Sequence, residues 1–142
     1  MMERVVFDTS SLISAAIQVG TKPNLALIYA LEFCTVCASE QLIAELREVA
    51  SRERFDRYLS AHERQEFLDL VQENFKMFPV FPSDIESVDP TCRDPRDNFV
   101  LALALIAEAD AIVSSDHDLL VLHPWHGIAI LTPAQFLEQI AS

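Results

Sequence analysis

Four acidic residues are spaced so that a fold could gather them. Asp8 and Asp116 follow the short apolar runs Val5-Val6-Phe7 and Ala111-Ile112-Val113. Asp97 stands just before a long apolar stretch, Phe99 to Ala107, and Glu45 lies on a helical pattern beside Leu42, Ile43, Leu46 and Val49. Short apolar runs with polar stops suit interior parallel strands. In parallel sheets, sites form beyond the carboxyl ends of the strands at a topological switch point. Carboxylates that meet there raise one another's pKa or draw in cations. An oxygen-only donor set suits a hard divalent ion, Mg²⁺ or Mn²⁺. Such an ion aligns a water and stabilises a phosphodiester transition state. Taken singly, each acid has a plainer role. Asp8 would cap the helix after Thr9-Ser10-Ser11, and Asp97 would favour a helix dipole. Glu45 would be a solvated helix residue, and Asp116 or Asp118 a turn residue. Spacing alone leaves both readings open.

The elements needed to position these acids follow from the pattern. Arg4 to Phe7 reads as a strand, and Leu12 to about Gln18 as a helix. Pro23 begins a second helix running to Glu32, and Phe33 to Ala38 is the next strand. Ser39 caps a third helix, which carries Glu45. Ser51 to Phe78 is helical and more polar, with Arg52, Arg54, Arg57 and Arg64 on its polar side. Val80-Phe81, between Pro79 and Pro82, reads as a short strand, and Ser83 to Asp94 as a polar loop. Pro95 opens a helix apolar nearly all round, hence buried on several sides. Strand 111–114, a helical turn at Asp118-Leu119-Leu120, strand 127–131 and a final helix 134–141 complete the chain. Strands alternating with helices predict an α/β fold with a central parallel sheet. At 142 residues the chain makes one domain, 1–142.

Composition narrows the function. Apolar residues at 51% and charged residues at 23% specify a filled core and exclude disorder. No apolar run reaches the roughly 18 residues of a membrane helix, and the start Met1-Met2-Glu3-Arg4 does not resemble a signal peptide. A cytoplasmic protein is expected. The formal net charge of −12 opposes a nucleic-acid partner unless bound cations reverse the sign locally. Cys34 and Cys37 form a C-x-x-C, but on a strand they point to opposite faces, and Cys92 alone supplies no second zinc pair. Small buried thiols in a reducing compartment are expected. The two glycines form no phosphate-binding loop, and G-x-G-x-x-G and Walker motifs are absent.

Four segments together carry a family resemblance: Val5-Val6-Phe7-Asp8-Thr9-Ser10, Ser39 to Leu46, Cys92-Arg93-Asp94-Pro95-Arg96-Asp97-Asn98, and Ile112 to Leu120. The chain resembles the PIN domain family over essentially its whole length, in particular the toxins of toxin–antitoxin pairs related to VapC. The resemblance implies a three-layer α/β/α fold with a five-stranded parallel sheet, usually dimeric. It implies metal-binding, catalytic acids at Asp8, Glu45, Asp97 and Asp116, with Asp118 as an auxiliary acid. It also implies a polar group near the metal, here Ser10, and a supporting hydroxyl at Ser114. The implied activity is endonucleolytic cleavage of single-stranded RNA by an Mg²⁺- or Mn²⁺-dependent ribonuclease, leaving a 5′-phosphate, with a protein antitoxin as partner. Many members have Asn in place of Ser10, and another acid is common in place of Asn98. The arginines of 52–64 either guide RNA or form a solvated helix face, and Ser51 to Phe78 could instead present a dimer or antitoxin surface. His117 is expected to be an exposed turn histidine.

Two rivals stand beside this reading. A phosphoryl-transfer domain of receiver type needs an acidic pair after the first strand and a lysine near the last strand, yet no lysine follows Lys76. A dehalogenase-type phosphatase needs D-x-D, which Ser10 breaks. The second rival is a non-catalytic metal- or RNA-binding module.

Overall fold

Val5, Val6 and Phe7 are fully buried, so the strand they form cannot lie at an edge. In the computed structural model, which describes residues 2–141, Arg4–Phe7 is β1, the middle of a five-stranded sheet. The order of elements after it is α1 (Thr9–Ile17), α2 (Lys22–Phe33), β2 (Thr35–Ala38), α3 (Glu40–Ala50), α4 (Ala61–Asn74) and β3 (Lys76–Met77). There follow α5 (Pro82–Glu86), α6 (Asn98–Ile106), β4 (Ala111–Val113), α7 (His117–Leu120), β5 (Ala129–Leu131) and α8 (Pro133–Ala141). Single 3₁₀ turns, Glu53–Phe55 and Pro95–Asp97, precede α4 and α6.

The sheet order is β3-β2-β1-β4-β5, and every pairing is parallel. The chain winds outward from β1 through β2 to β3, then returns to the other side of β1 for β4 and β5. The switch point therefore falls between β1 and β4, where Val6 pairs with Ile112 and Phe7 with Val113. The Asp8 N–H continues this ladder to the Val113 carbonyl at 3.2 Å, and the Ser114 N–H continues the next to Leu131 at 2.9 Å. Asp8 and Ser114 are thereby set side by side at the carboxyl edge.

Helices cover the sheet in a three-layer α/β/α arrangement. Helix α2 packs against α1 and α8, while α6 lies over β1 and β2 with α3 and α5 beside it. Helix α6 is buried from Asn98 through Leu103 to Ala104, which accounts for its lack of a polar face. Removing one of these side chains, as in Leu101→Ala, would cost about 2–5 kcal/mol.

The third strand is not Val80-Phe81. The chain leaves α4 at Asn74, and Lys76–Met77 pairs with β2 through Cys37 and Ala38. Val80-Phe81 is loop, and Phe81 is the extended residue before Pro82 that starts α5. Proline cannot continue a ladder but fits the first turn of a helix. The second strand begins at Thr35, because α2 runs through Phe33 and closes with the Cys34 N–H on the Ala30 carbonyl at 2.8 Å. The region 51–78 is interrupted: α3 stops at Ala50, a 3₁₀ turn follows, and α4 starts at the Ser60–Glu63 capping box. Cys34, Cys37 and Cys92 are free thiols, Cys37 and Cys92 being buried.

Candidate active site

The carboxyl edge at the switch point opens into a cleft with a volume of about 410 Å³. Asp8 comes from the end of β1, Glu45 from α3, Asp97 from the turn before α6, and Asp116 from the loop after β4; all four line this cleft. Thr9 and Ser10 line it beside Asp8. Ser114 and Asp118 are not part of the lining.

Asp8 is held on both carboxylate oxygens. Oδ1 accepts the Ser11 N–H at 2.9 Å, capping α1, and the Ser10 hydroxyl at 3.3 Å. Oδ2 accepts the hydroxyl of fully buried Ser114 at 2.5 Å. The capping role read from the sequence is thus real, and it coexists with a place in the cleft. Burial pushes the Asp8 carboxyl up, and its hydrogen bonds from Ser114, Ser11 and Ser10 pull it part of the way back. Ser114 also accepts the Asp116 N–H at 2.9 Å, so one hydroxyl fixes both strand ends. Asp116 caps α7 through the Asp118 N–H at 2.9 Å.

Asp97 and Asp116 are in side-chain contact. Burial first, then the hydrogen bond with Asp116 and the charges of Asp116, Asp94 and Asp8, push Asp97 up to about 7. Asp97 therefore favours its protonated form up to about neutral pH, unless a cation takes the proton's place.

The donors present suit a hard divalent ion. They are all oxygens, crowded enough to hold a proton, and the Thr9 hydroxyl beside them is buried without a hydrogen-bond partner among the described residues. No group of three or more His, Cys, Asp and Glu side chains among the described residues is already arranged as a metal cage. Mg²⁺ does not require one, because it keeps several waters and uses one or two carboxylates plus substrate phosphate.

Other residues reach the cleft whose place there the sequence did not reveal. Asp94 caps the turn before α6 and grips Arg96 through both oxygens, at 2.8–3.2 Å, and both line the cleft. Arg96 holds Asp94 below the usual carboxylate range. Arg52, Arg54 and Phe55 also line the cleft, brought there by the 3₁₀ turn after α3. An Asp-Pro-Arg run and an arginine pair beside an aromatic were visible, but their direction depends on turns of irregular backbone. Asn98 is buried outside the lining, and its Oδ1 accepts the Cys92 N–H at 2.9 Å, bracing the loop below Asp94. His117 is exposed.

The protein is an α/β domain whose parallel sheet carries an acidic cleft at its switch point. The model of the PIN domain family matches residues 4–118, and the chain belongs to that family. No curated protein matches it in sequence. Among solved structures it is similar in fold to PAE2754 from Pyrobaculum aerophilum, with a TM-score of 0.63, 19% identity, and coverage of 99% of this chain and 91% of that one. It is similar to VapBC2 from Rickettsia felis, solved bound to a DNA fragment from their promoter, with a TM-score of 0.61, 12% identity, and coverage of 89% and 96%. It is also similar to FitAcB from Neisseria gonorrhoeae, with a TM-score of 0.54, 17% identity, and coverage of 92% and 98%. PIN domains are generally metal-dependent nucleases. No helix among the described residues is long and apolar enough to cross a membrane.

Proposed function

We propose that this protein is a divalent-metal-dependent endoribonuclease cutting single-stranded RNA, the toxin of a toxin–antitoxin pair. The observation that carries the reading is the convergence of Asp8, Glu45, Asp97 and Asp116 on one cleft at the switch point of a parallel sheet, where burial and neighbouring acids push Asp97 up. Asp97 and Asp116 would hold Mg²⁺ or Mn²⁺, with Asp8 and Glu45 completing the acid set through water. When bound, the ion supplies positive charge to the scissile phosphate and lowers the pKa of a water.

The chain's own residues do the rest. Ser114, Ser11 and Ser10 fix the Asp8 carboxylate in one orientation, so no reorganisation is needed when the phosphate arrives. Asp118 fixes Asp116 through its backbone N–H. Water adds to phosphorus, the bond to the 3′ oxygen breaks, and the products are a 3′-hydroxyl and a 5′-phosphate. The proton released by the water passes to a cleft carboxylate, and the departing 3′ oxygen takes up a proton from a protonated acid of the cleft or from solvent.

The reading extends to a cytoplasmic homodimer, one domain per chain, inhibited by a protein antitoxin. The VapC-like motifs and the fold shared with VapBC2 and FitAcB support it. Purified protein with Mn²⁺ and end-labelled single-stranded RNA provides the test. Cleavage that vanishes in Asp8→Asn and Asp97→Asn supports the nuclease. Metal binding with no cleavage of any RNA would leave the non-catalytic module instead.

A further inference from the structure

Besides its acids, the cleft is lined by residues of a different chemistry. The turn after α3 contributes Arg52, Arg54 and Phe55 to the lining. The Arg54 guanidinium lies 4.8 Å from the centre of the Phe55 ring. Arg57 stacks in the same way on half-exposed Tyr58, at 5.5 Å. Three of the ten basic residues of a chain with net charge −12 therefore fall within six positions, and two of them, Arg52 and Arg54, line the cleft together with Phe55.

The three arginines are not equivalent. Arg52 is forked onto Glu48, at 2.8 and 3.3 Å, and its charge is already matched. Arg54 is exposed, and its guanidinium rests on an aromatic ring. A cation held on a ring beside an open cleft suits two tasks at once: the guanidinium meets a phosphate, and the paired planes receive an unstacked base. Unpaired strands are recognised in this way, by stacking on aromatic and guanidinium planes, whereas a duplex keeps its bases stacked on each other.

We infer that Arg54 and Phe55 form the platform that receives a nucleotide of single-stranded RNA next to the scissile phosphate. This rests on the ribonuclease reading of the cleft and adds a selection for unpaired strands. Arg52, neutralised by Glu48, orients the turn and makes no phosphate contact of its own.

The test reads binding separately from cleavage. A short fluorescein-labelled single-stranded RNA is titrated with the intact protein in EDTA, and again in Mg²⁺ in the Asp8→Asn background, by fluorescence anisotropy at several salt concentrations. Phe55→Leu keeps the apolar packing and removes the ring. It should weaken binding about five- to tenfold and leave the salt dependence unchanged. Arg54→Ala should weaken binding and reduce the slope of log K against log salt by about 0.7, one phosphate's share on a single strand. Arg52→Ala should change the slope by much less. Melting curves of all three variants should coincide with the wild type to within a few degrees, and Phe55→Tyr should restore binding.

If the wild type binds and cleaves RNA while Phe55→Leu and Arg54→Ala bind as it does, the platform is overturned and the nuclease reading stands. If binding depends on these two residues but no RNA is ever cut, the nuclease reading falls, and Arg54 and Phe55 stand only as a binding platform for unpaired RNA with no scissile phosphate beside it. If the wild type binds no RNA, both fall, and the rim is left as a surface for a protein.

Discussion

The Ser114 hydroxyl reaches Asp8 Oδ2 at 2.5 Å across 106 positions of sequence, and both groups are buried. The contact exists because β1 and β4 are parallel neighbours that end together. The same Ser114 oxygen accepts the Asp116 N–H. Ser114→Ala therefore leaves a buried carboxylate and a backbone N–H each short of a partner. The expected cost is about 1–3 kcal/mol, measured by urea denaturation. Ser10→Ala, which removes an exposed hydroxyl at 3.3 Å from the same carboxylate, should stay within about 0.5 kcal/mol. Equal losses in the two variants would deny the Ser114 contact its structural role.

At Asp8 itself, stability and activity should separate. Asp8→Asn removes a buried charge that desolvation opposes, yet keeps an amide oxygen to accept the Ser11 N–H. Its melting temperature in metal-free buffer should equal or exceed that of the wild type, while RNA cleavage is lost. Asp8→Ala loses the cap as well and should fall about 1 kcal/mol below Asp8→Asn. Severe unfolding of Asp8→Asn would mean that the carboxylate is there for the fold and not for a ligand.

Much of this arrangement could be read from residue order, and the reasons are physical. Val5-Val6-Phe7 and Ala111-Ile112-Val113 are buried on both faces, so their sequences carry no polar alternation and mark interior strands unambiguously. The acids that end them follow at the carboxyl edge by geometry alone. Lys76–Met77 gave no such signal: two exposed residues at a sheet edge have no apolar pattern to impose. Val80-Phe81 looked like a strand because both are β-formers, but the flanking prolines decide the backbone, and Phe81 ends 62% exposed. Arg54 and Phe55 read as part of a long polar helix. The break after Ala50 turns them back toward Glu45, and its cause is the capping of two separate helices, Ser51 closing one and Ser60 opening the next. The Asp94–Arg96 grip was hidden for a similar reason, since it depends on the turn that Pro95 starts.

Asp97 gives the protein a pH-dependent stability with a definite sign. Its folded-state pKa of about 7 lies above the ordinary value of 3.8. The folded state thus binds this proton more tightly than the unfolded chain does. The associated stability is fully present below pH about 4 and is lost as pH rises through 7. Asp97 is half-exposed, so solvent reduces the effect to about 1–2 kcal/mol. Asp97→Asn imitates the protonated form and can still donate to Asp116. In metal-free buffer the melting temperature of Asp97→Asn relative to the wild type should therefore rise between pH 4 and pH 8, by about 3–6 °C. A difference that does not vary with pH would show that Asp97 and Asp116 are not crowded in solution.

A divalent ion should take the place of that proton. Binding to the folded state alone stabilises by RT ln(1 + [L]/Kd), about 2.7 kcal/mol at a hundredfold excess over Kd. Mg²⁺ or Mn²⁺ added at pH 8 should raise the melting temperature of the wild type, and by less at pH 5, where the Asp97 proton competes. Asp97→Asn/Asp116→Asn should show no ion-dependent shift at either pH. His117→Ala should shift as the wild type does, because His117 is exposed beside the site and outside the cleft lining. The two pH values matter more than the size of either shift. An ion bound by scattered surface acids would stabilise the double variant too, whereas an ion that displaces the Asp97 proton must lose affinity as that proton returns. Equal stabilisation of wild type and double variant would remove the metal from this cleft, and the ribonuclease reading with it.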